Sequence, residues 1–97
     1  MFIELKKFGT TLTSRQMGRE ALSAFNPILN TLKPDEEIIV DFDGVNTFSP
    51  SWGDEFLTQL HRRFADRLFL RETKNPSVVA TMQILEETGD VKFRIRK

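Results

Sequence analysis

Asp41 and Asp43 stand two positions apart in Val40-Asp41-Phe42-Asp43-Gly44, directly behind an apolar run. Residues i and i+2 of an extended backbone project to the same side. Two carboxylates so placed could address one phosphate and one cation. Further on, Ser49 and Ser51 flank Pro50, and Asp54 and Glu55 follow. A phosphoryl group on Ser51 would meet the favourable N-terminus of a helix and the opposing carboxylates of Asp54 and Glu55. Arg15 is the candidate counter-charge, able to brace Asp43, Asp54 and Glu55 or to hold an anionic ligand. The chain has one histidine and no cysteine, which excludes a disulfide, a thiol nucleophile and a thiolate metal site. His61, beside Arg62 and Arg63, reads as part of a solvated helix face, and neither a metal nor a cofactor is expected.

These groups need elements to position them. Phe2 to Phe8 mixes apolar and charged positions as a short strand does, and Gly9 ends it. Thr13 with Gln16 fits a capping box that opens a helix. That helix carries Met17, Ala21, Phe25, Ile28, Leu29 and Leu32 at helical spacing. Pro27 should kink it near Asn26, because the ring clashes with the carbonyl of Ser23. Glu37 to Phe42 predicts a strand buried on both faces. Ser49 as cap and Pro50 at the first helical position open a second helix. Its stripe of Trp52, Phe56, Leu60 and Phe64, widened by Leu57, faces the core. Trp52 would anchor a protein partner if it were exposed. Leu68-Phe69-Leu70 is a third strand, and Asn75-Pro76 opens a third helix carrying Val78, Val79, Met82 and Leu85. Gly89 is the expected left-handed cap. Val91 to Arg96 alternates apolar and basic, as a half-solvated strand does, and its basic row suits protection of a sheet edge.

The order β-α-β-α-β-α-β predicts an α/β fold, with a four-stranded, mostly parallel sheet and three helices in one domain over residues 1–97. Parallel strands would bring Thr10 to Arg15, Asp43 to Asp54 and Thr73 to Asn75 to one rim, where ligands of open α/β sheets bind. Ninety-seven residues, 39% of them hydrophobic, suffice for a single core. Fourteen basic against 14 acidic residues argue against a general nucleic-acid binder or a polybasic membrane-surface protein. No apolar run approaches the roughly 20 residues that span a bilayer. The opening Met1 to Phe8 carries charge where a signal peptide needs apolar residues, so the expected location is cytoplasmic. Nine Phe, one Trp and no Tyr supply buried area without phenolic hydroxyls.

Taken alone, Asp41-Phe42-Asp43-Gly44-Val45 resembles the first motif of haloacid-dehalogenase-like phosphatases, which act with magnesium. Those enzymes place the motif on their first strand. Here a strand and a helix precede it, and too few residues follow for the later strands that carry the motif lysine and the second acidic pair.

Taken whole, the segment resembles the STAS-like domain family, small relatives of the anti-sigma-factor antagonists. In the wider STAS pattern a buried strand ends in aspartate, then come a small residue, glycine, valine and isoleucine or phenylalanine. Asp41, Gly44, Val45 and Phe48 stand at corresponding positions. The STAS-like branch shows strand-Asp-Phe, then Val, then Ser-x-Ser-Phe-x-Asp-Glu. This chain has Asp41-Phe42, Val45 and Ser49-Pro50-Ser51-Trp52-Gly53-Asp54-Glu55. Phe8-Gly9 with Leu12 and Ser14-Arg15 looks like the branch's first loop and helix start, so the resemblance covers roughly residues 1 to 72. The serine that a partner kinase phosphorylates in the antagonists falls at Pro50, which cannot accept phosphate. Ser49 and Ser51 are the neighbouring hydroxyls.

The resemblance implies a non-enzymatic regulatory or adaptor domain that presents the loop before Pro50 and the following helix to a protein. The implied partner is a histidine-kinase-type ATPase or a sigma-factor regulatory component. Arg15, Asp43, Ser49, Ser51, Trp52, Asp54 and Glu55 are its candidate surface, with Ser51 as candidate phosphoacceptor. A second expectation, of another class, is a small-anion or nucleotide site built from Arg15 and the helix N-termini near Ser14 and Ser49.

Overall fold

The computed structural model covers residues 1–97. In chain order its elements are β1 (Phe2–Glu4), β2 (Thr11–Leu12), α1 (Arg15–Leu29), β3 (Ile38–Asp41), β4 (Thr47–Phe48), α2 (Pro50–Gly53), a π-helical turn (Asp54–Thr58), α3 (Gln59–Phe64), β5 (Leu68–Arg71), α4 (Pro76–Gly89) and β6 (Arg94–Arg96). The segments from Pro50 to Phe64 form one unbroken helical rod. Strands β1, β3, β5 and β6 make a four-stranded sheet in that order, parallel throughout. This is the α/β architecture the sequence pattern predicts. To it is added a separate parallel ribbon of β2 and β4, in a stretch that reads from sequence as turn.

Strands added always in one direction, by right-handed crossovers, place every helix on the same face of the sheet. Burial alternates to match. Ile3, Ile38, Val40, Leu68 and Leu70 are buried, whereas Phe2 is exposed and Ile39 and Phe69 are half-buried. Glu37 to Phe42 is therefore not buried on both faces as its composition suggests. Ile38 and Val40 fill the core, and Ile39 belongs to the uncovered side.

Several ends differ from the sequence pattern. The first strand stops at Glu4, and Leu5–Phe8 is a 3-10 turn that drives Leu5 into the core. Helix α1 is capped by Ser14, whose Oγ accepts the Met17 N–H at 3.2 Å, while Gln16 turns outward to Glu20. The helix runs unbroken through Pro27 and ends at Leu29, less than a turn later. Pro27 removes the bond that an N–H there would have given the Ser23 carbonyl, yet the ladder resumes beyond it, with Asn30 N–H on the Asn26 carbonyl at 2.9 Å. Leu32 lies beyond the helix. At the end of α4, Asp90 takes the left-handed conformation at φ 51° in place of Gly89, a region that aspartate tolerates better than most residues. Of the last strand only Arg94–Arg96 pairs, and Val91 and Phe93 are core residues leading into it.

The helical rod explains how a strict four-residue stripe can stay buried. Each step of four overshoots an α-helical turn by about 40°, so three steps drift by roughly 120°. The wider π turn takes back part of that drift. Trp52, Phe56, Leu60 and Phe64 all remain in the core. From Phe42 the rings run in contact to Phe48, Trp52, Phe56, Phe8 and Phe25, with centroids 4.9–5.9 Å apart. Helix α1 approaches this row through Gly18, where a Cβ would lie 2.8 Å from the Trp52 carbonyl oxygen. Thr58, at the end of the π turn, is fully buried and its hydroxyl has no partner.

Two substitutions test this packing. Gly18→Ala pushes a methyl against backbone that cannot yield and should cost about 1–3 kcal/mol, read as a lower melting temperature. Thr58→Val removes an orphaned hydroxyl at nearly constant shape and should raise it, since a buried unsatisfied polar group costs about 1–3 kcal/mol.

Candidate functional site

The three loops expected on one rim do meet there, and hydrogen bonds close them against one another. The Thr10 carbonyl accepts from Asn46 and Thr47 N–H at 2.8 and 3.1 Å, and the Leu12 carbonyl accepts from Ser49 N–H at 2.9 Å. Asn75 joins the third loop. Its Nδ2 donates to the carbonyls of Val45 and Asn46 at 2.8 and 3.3 Å, and its Oδ1 accepts from Ser77 and Val78 N–H at 2.8 and 3.3 Å. One side chain thus caps α4 and holds the loop after β3. The free edge of β4 is finished by hydroxyls from α4. Ser77 Oγ accepts the Phe48 N–H at 2.9 Å, and Thr81 Oγ1 donates to the Phe48 carbonyl at 2.6 Å. The cap at Asn75 is legible in Asn75-Pro76. Ser77 and Thr81 are not, although their four-residue spacing on one helix face is the signal that could have found them.

Ser49 acts as the sequence suggests. Its Oγ accepts the Trp52 N–H at 3.2 Å at the start of α2 and donates to the Thr13 carbonyl at 2.7 Å. It is a cap and a tie, which contributes on the order of 1 kcal/mol for the cap alone. Arg15 reaches across to the next helix. Its Nη1 lies 3.1 Å from Asp54 Oδ2 and 2.9 Å from Glu55 Oε1. Hydrogen bonding to Asp54 and then Glu55 raises the already high pKa of Arg15 further. Arg19, one turn on, adds a longer contact of 3.5 Å to Glu55. Arg15, Ser51, Asp54 and Arg62 line a shallow cleft of about 370 Å³.

Two candidate residues lie elsewhere. Asp43 does not join Arg15. With Asp41, Arg71, Thr73 and Lys74 it lines a second polar cleft, about 390 Å³, at the C-terminal ends of β3 and β5. Trp52 is 1% exposed and cannot anchor a partner, because the rod turns it under Gly18 and into the ring row. His61 is not simply solvated, since its ring stands edge-on to Phe93 at 5.7 Å.

The geometry bears on the chemical alternatives. Arg15 is matched by two carboxylates, and Ser14 and Ser49 already accept N–H bonds at the starts of α1 and α2. An incoming anion would compete with those partners, although the Nη2 and Nε donors of Arg15 make no bond within the protein. Asp41 and Asp43 share one cleft, and the Asp43 N–H points at Asp41 Oδ1 across a weak 3.4 Å. No group of three His, Asp or Glu side chains is placed to hold a metal ion. The sheet order never reverses, so the rim has no switch point of the kind that opens a ligand crevice in doubly wound folds.

A parallel four-stranded sheet covered on one face by three helical rods, with the strand-Asp-Phe segment feeding a serine-capped helix, defines a small STAS-like α/β domain. A family model described as a STAS-like domain of unknown function (DUF4325) matches residues 25–76, and the chain belongs to that family. The matched stretch runs from the second half of α1 to the start of α4, and includes Ser49, Ser51 and Asp54 but not Arg15. No curated protein and no solved structure matches the chain. No helix is long and apolar enough to cross a membrane.

Ser77→Ala should leave the buried Phe48 N–H without a partner and cost about 1–3 kcal/mol. Hydrogen exchange at Phe48 should accelerate with it, while exchange in β1 and β6 follows only the global loss.

Proposed function

We propose that this domain is a non-enzymatic regulatory or adaptor module, and that the rim around Ser51 and the Arg15–Asp54–Glu55 cluster is the surface a partner protein reads. The observation that carries this is the cluster itself. One guanidinium fastens the start of α1 to the π turn through two carboxylates, on a rim whose loops are already tied together. A surface ordered before binding spares the partner much of the ordering cost of association. Charged groups held in place also favour selection among partners and fast encounter more than raw affinity. Kinship with the anti-sigma-factor antagonists suggests a histidine-kinase-type ATPase or a sigma-factor regulatory component as that partner.

Ser51 is the regulatory position in this proposal. Pro50 occupies the place of the antagonists' phosphoserine, and Ser51 shares its cleft with Arg15 and Arg62. A phosphoryl group there would be drawn to both guanidiniums and would compete with Asp54 for Arg15.

Binding to the histidine-kinase-type ATPases of the same genome, measured by calorimetry, tests the proposal. Asp54→Arg should weaken binding at least tenfold and Ser51→Asp should change it several-fold, while both variants keep a cooperative melt. Unchanged affinity in both would overturn the assignment of this rim.

A further inference from the structure

The uncovered face of the four-stranded sheet carries an ordered charge pattern. Register sets Glu4 beside Asp41 and Arg71 beside Arg96. Strands β3 and β5 pair up to Val40 and Leu70, which puts Asp41 next to Arg71 one step further. From β1 to β6 this row reads acid, acid, base, base. Two residues earlier on each strand the row is Phe2, Ile39, Phe69 and Arg94. Phe2 is 49% exposed. Asp41 and Arg71, at the centre, take part in no salt bridge. At the margins, Glu4 reaches Lys6 at 3.4 Å. Arg96 lies 3.9 Å over the Phe69 ring and reaches Glu37 at 2.9 Å.

We propose that a second copy of this chain covers this face, in a symmetric dimer whose two-fold axis runs parallel to the strands between β3 and β5. Rotation about that axis preserves strand direction and exchanges the β1 side with the β6 side. The acid-acid-base-base row of one protomer then meets base-base-acid-acid on the other. Glu4 faces the partner's Arg96 and Asp41 faces the partner's Arg71, each contact occurring twice. In the second row Ile39 meets the partner's Phe69, and Phe2 meets the partner's Arg94 as a ring–cation contact. A two-fold axis across the strands would instead set acid on acid and base on base if it ran through this row. Run between the rows, it would set the charges on apolar side chains and Arg96 on Arg94, so the pattern selects one arrangement. Such self-complementarity is what an isologous interface requires. A second copy carries the complementary row by construction, whereas an unrelated partner would need to have acquired it.

Dimension sets the strength. Four strands about 4.8 Å apart give a face roughly 14 Å between outer strands and about 10 Å long. That is small beside the standard interface of about 800 Å² per partner. The dimer should therefore dissociate on dilution and weaken as salt screens the charged row. The surface is distinct from the Ser51 rim, so loss of dimerisation leaves the rim assignment standing, and the reverse.

Sedimentation across a concentration series tests the proposal. The wild type should rise from its 11.3 kDa monomer mass toward twice that value as concentration increases, and should fall back in high salt. D41R or R71D alone sets like charges against each other at two places and should weaken dimerisation at least tenfold. Mixed in equal amounts, these two variants restore opposite charges at both places and should form a heterodimer. Ile39→Asp, on the same face but outside the charged row, should also dissociate the wild-type dimer, which keeps the test open if either charge variant fails to melt cooperatively. A wild type that stays monomeric up to about 1 mM, the concentration matching only about 4 kcal/mol of association, overturns the proposal. So does a dimer indifferent to these reversals, or a mixture that does not associate.

Discussion

Handed crossovers taken always in one direction govern this molecule. Each parallel connection from β1 to β3, β3 to β5 and β5 to β6 moves one strand over in the same sense, and the right-handed twist of strands lets each helix return on only one side. All helices therefore crowd one face, and the other face stays bare. The strand order never turns back, so the chain does not build the crevice that reversal creates in doubly wound sheets. What the fold leaves open instead are the rim where the strands end, with its two polar clefts, and the bare face of the sheet.

Crowding on one face has consequences for packing. A row of aromatic rings has to fit between the sheet and helices that also touch each other, and the close points are relieved by particular residues. Gly18 lets α1 approach the backbone at Trp52, and the π turn keeps a four-residue stripe aimed inward. The same turn leaves Thr58 with a buried hydroxyl and no partner, so the arrangement carries a local cost. It also brings Asp54 and Glu55, in that turn, within reach of Arg15. Core packing and the charged rim cluster are thus two sides of one helical segment.

Much of this architecture can be read in the chain before folding. Short apolar runs such as Ile38-Ile39-Val40, rich in β-branched residues, and Leu68-Phe69-Leu70, bounded by Arg67 and Arg71, read as strands by length and composition. Ser49-Pro50 and Asn75-Pro76 announce helix starts, because a cap side chain and a proline each solve the problem of orphaned N–H groups locally. The family resemblance carried by Asp41-Phe42, Val45 and Ser49 to Glu55 lies in the same class of local signal. At the candidate site, parallel strands bring the loops of Arg15, Asp43, Asp54 and Glu55 to one rim, and that much is legible; that Arg15 pairs with Asp54 and Glu55 but not with Asp43 is not. Less legible were the ends: the 3-10 turn after Glu4, the cap at Ser14, the left-handed Asp90. Each depends on a choice among neighbouring residues of similar propensity that packing settles.

Amino-acid order by itself determined the succession of the four sheet strands and the helices between them, the absence of cysteine chemistry and the two proline-opened helices, because strand and helix signals of this kind arise within a few residues. Only the tertiary structure decided that Asp43 belongs to a different cleft from Arg15 and that Trp52, already on the core-facing stripe, is wholly withdrawn from the rim. It also decided that Ile39 looks outward from an apolar strand, and that Ser77 and Thr81 finish the edge of β4. Those outcomes turn on which face of the sheet each crossover covers and on contacts between residues dozens of positions apart. Periodicity along the chain records which side of its own element a residue occupies, and contains nothing about what will be packed against that side.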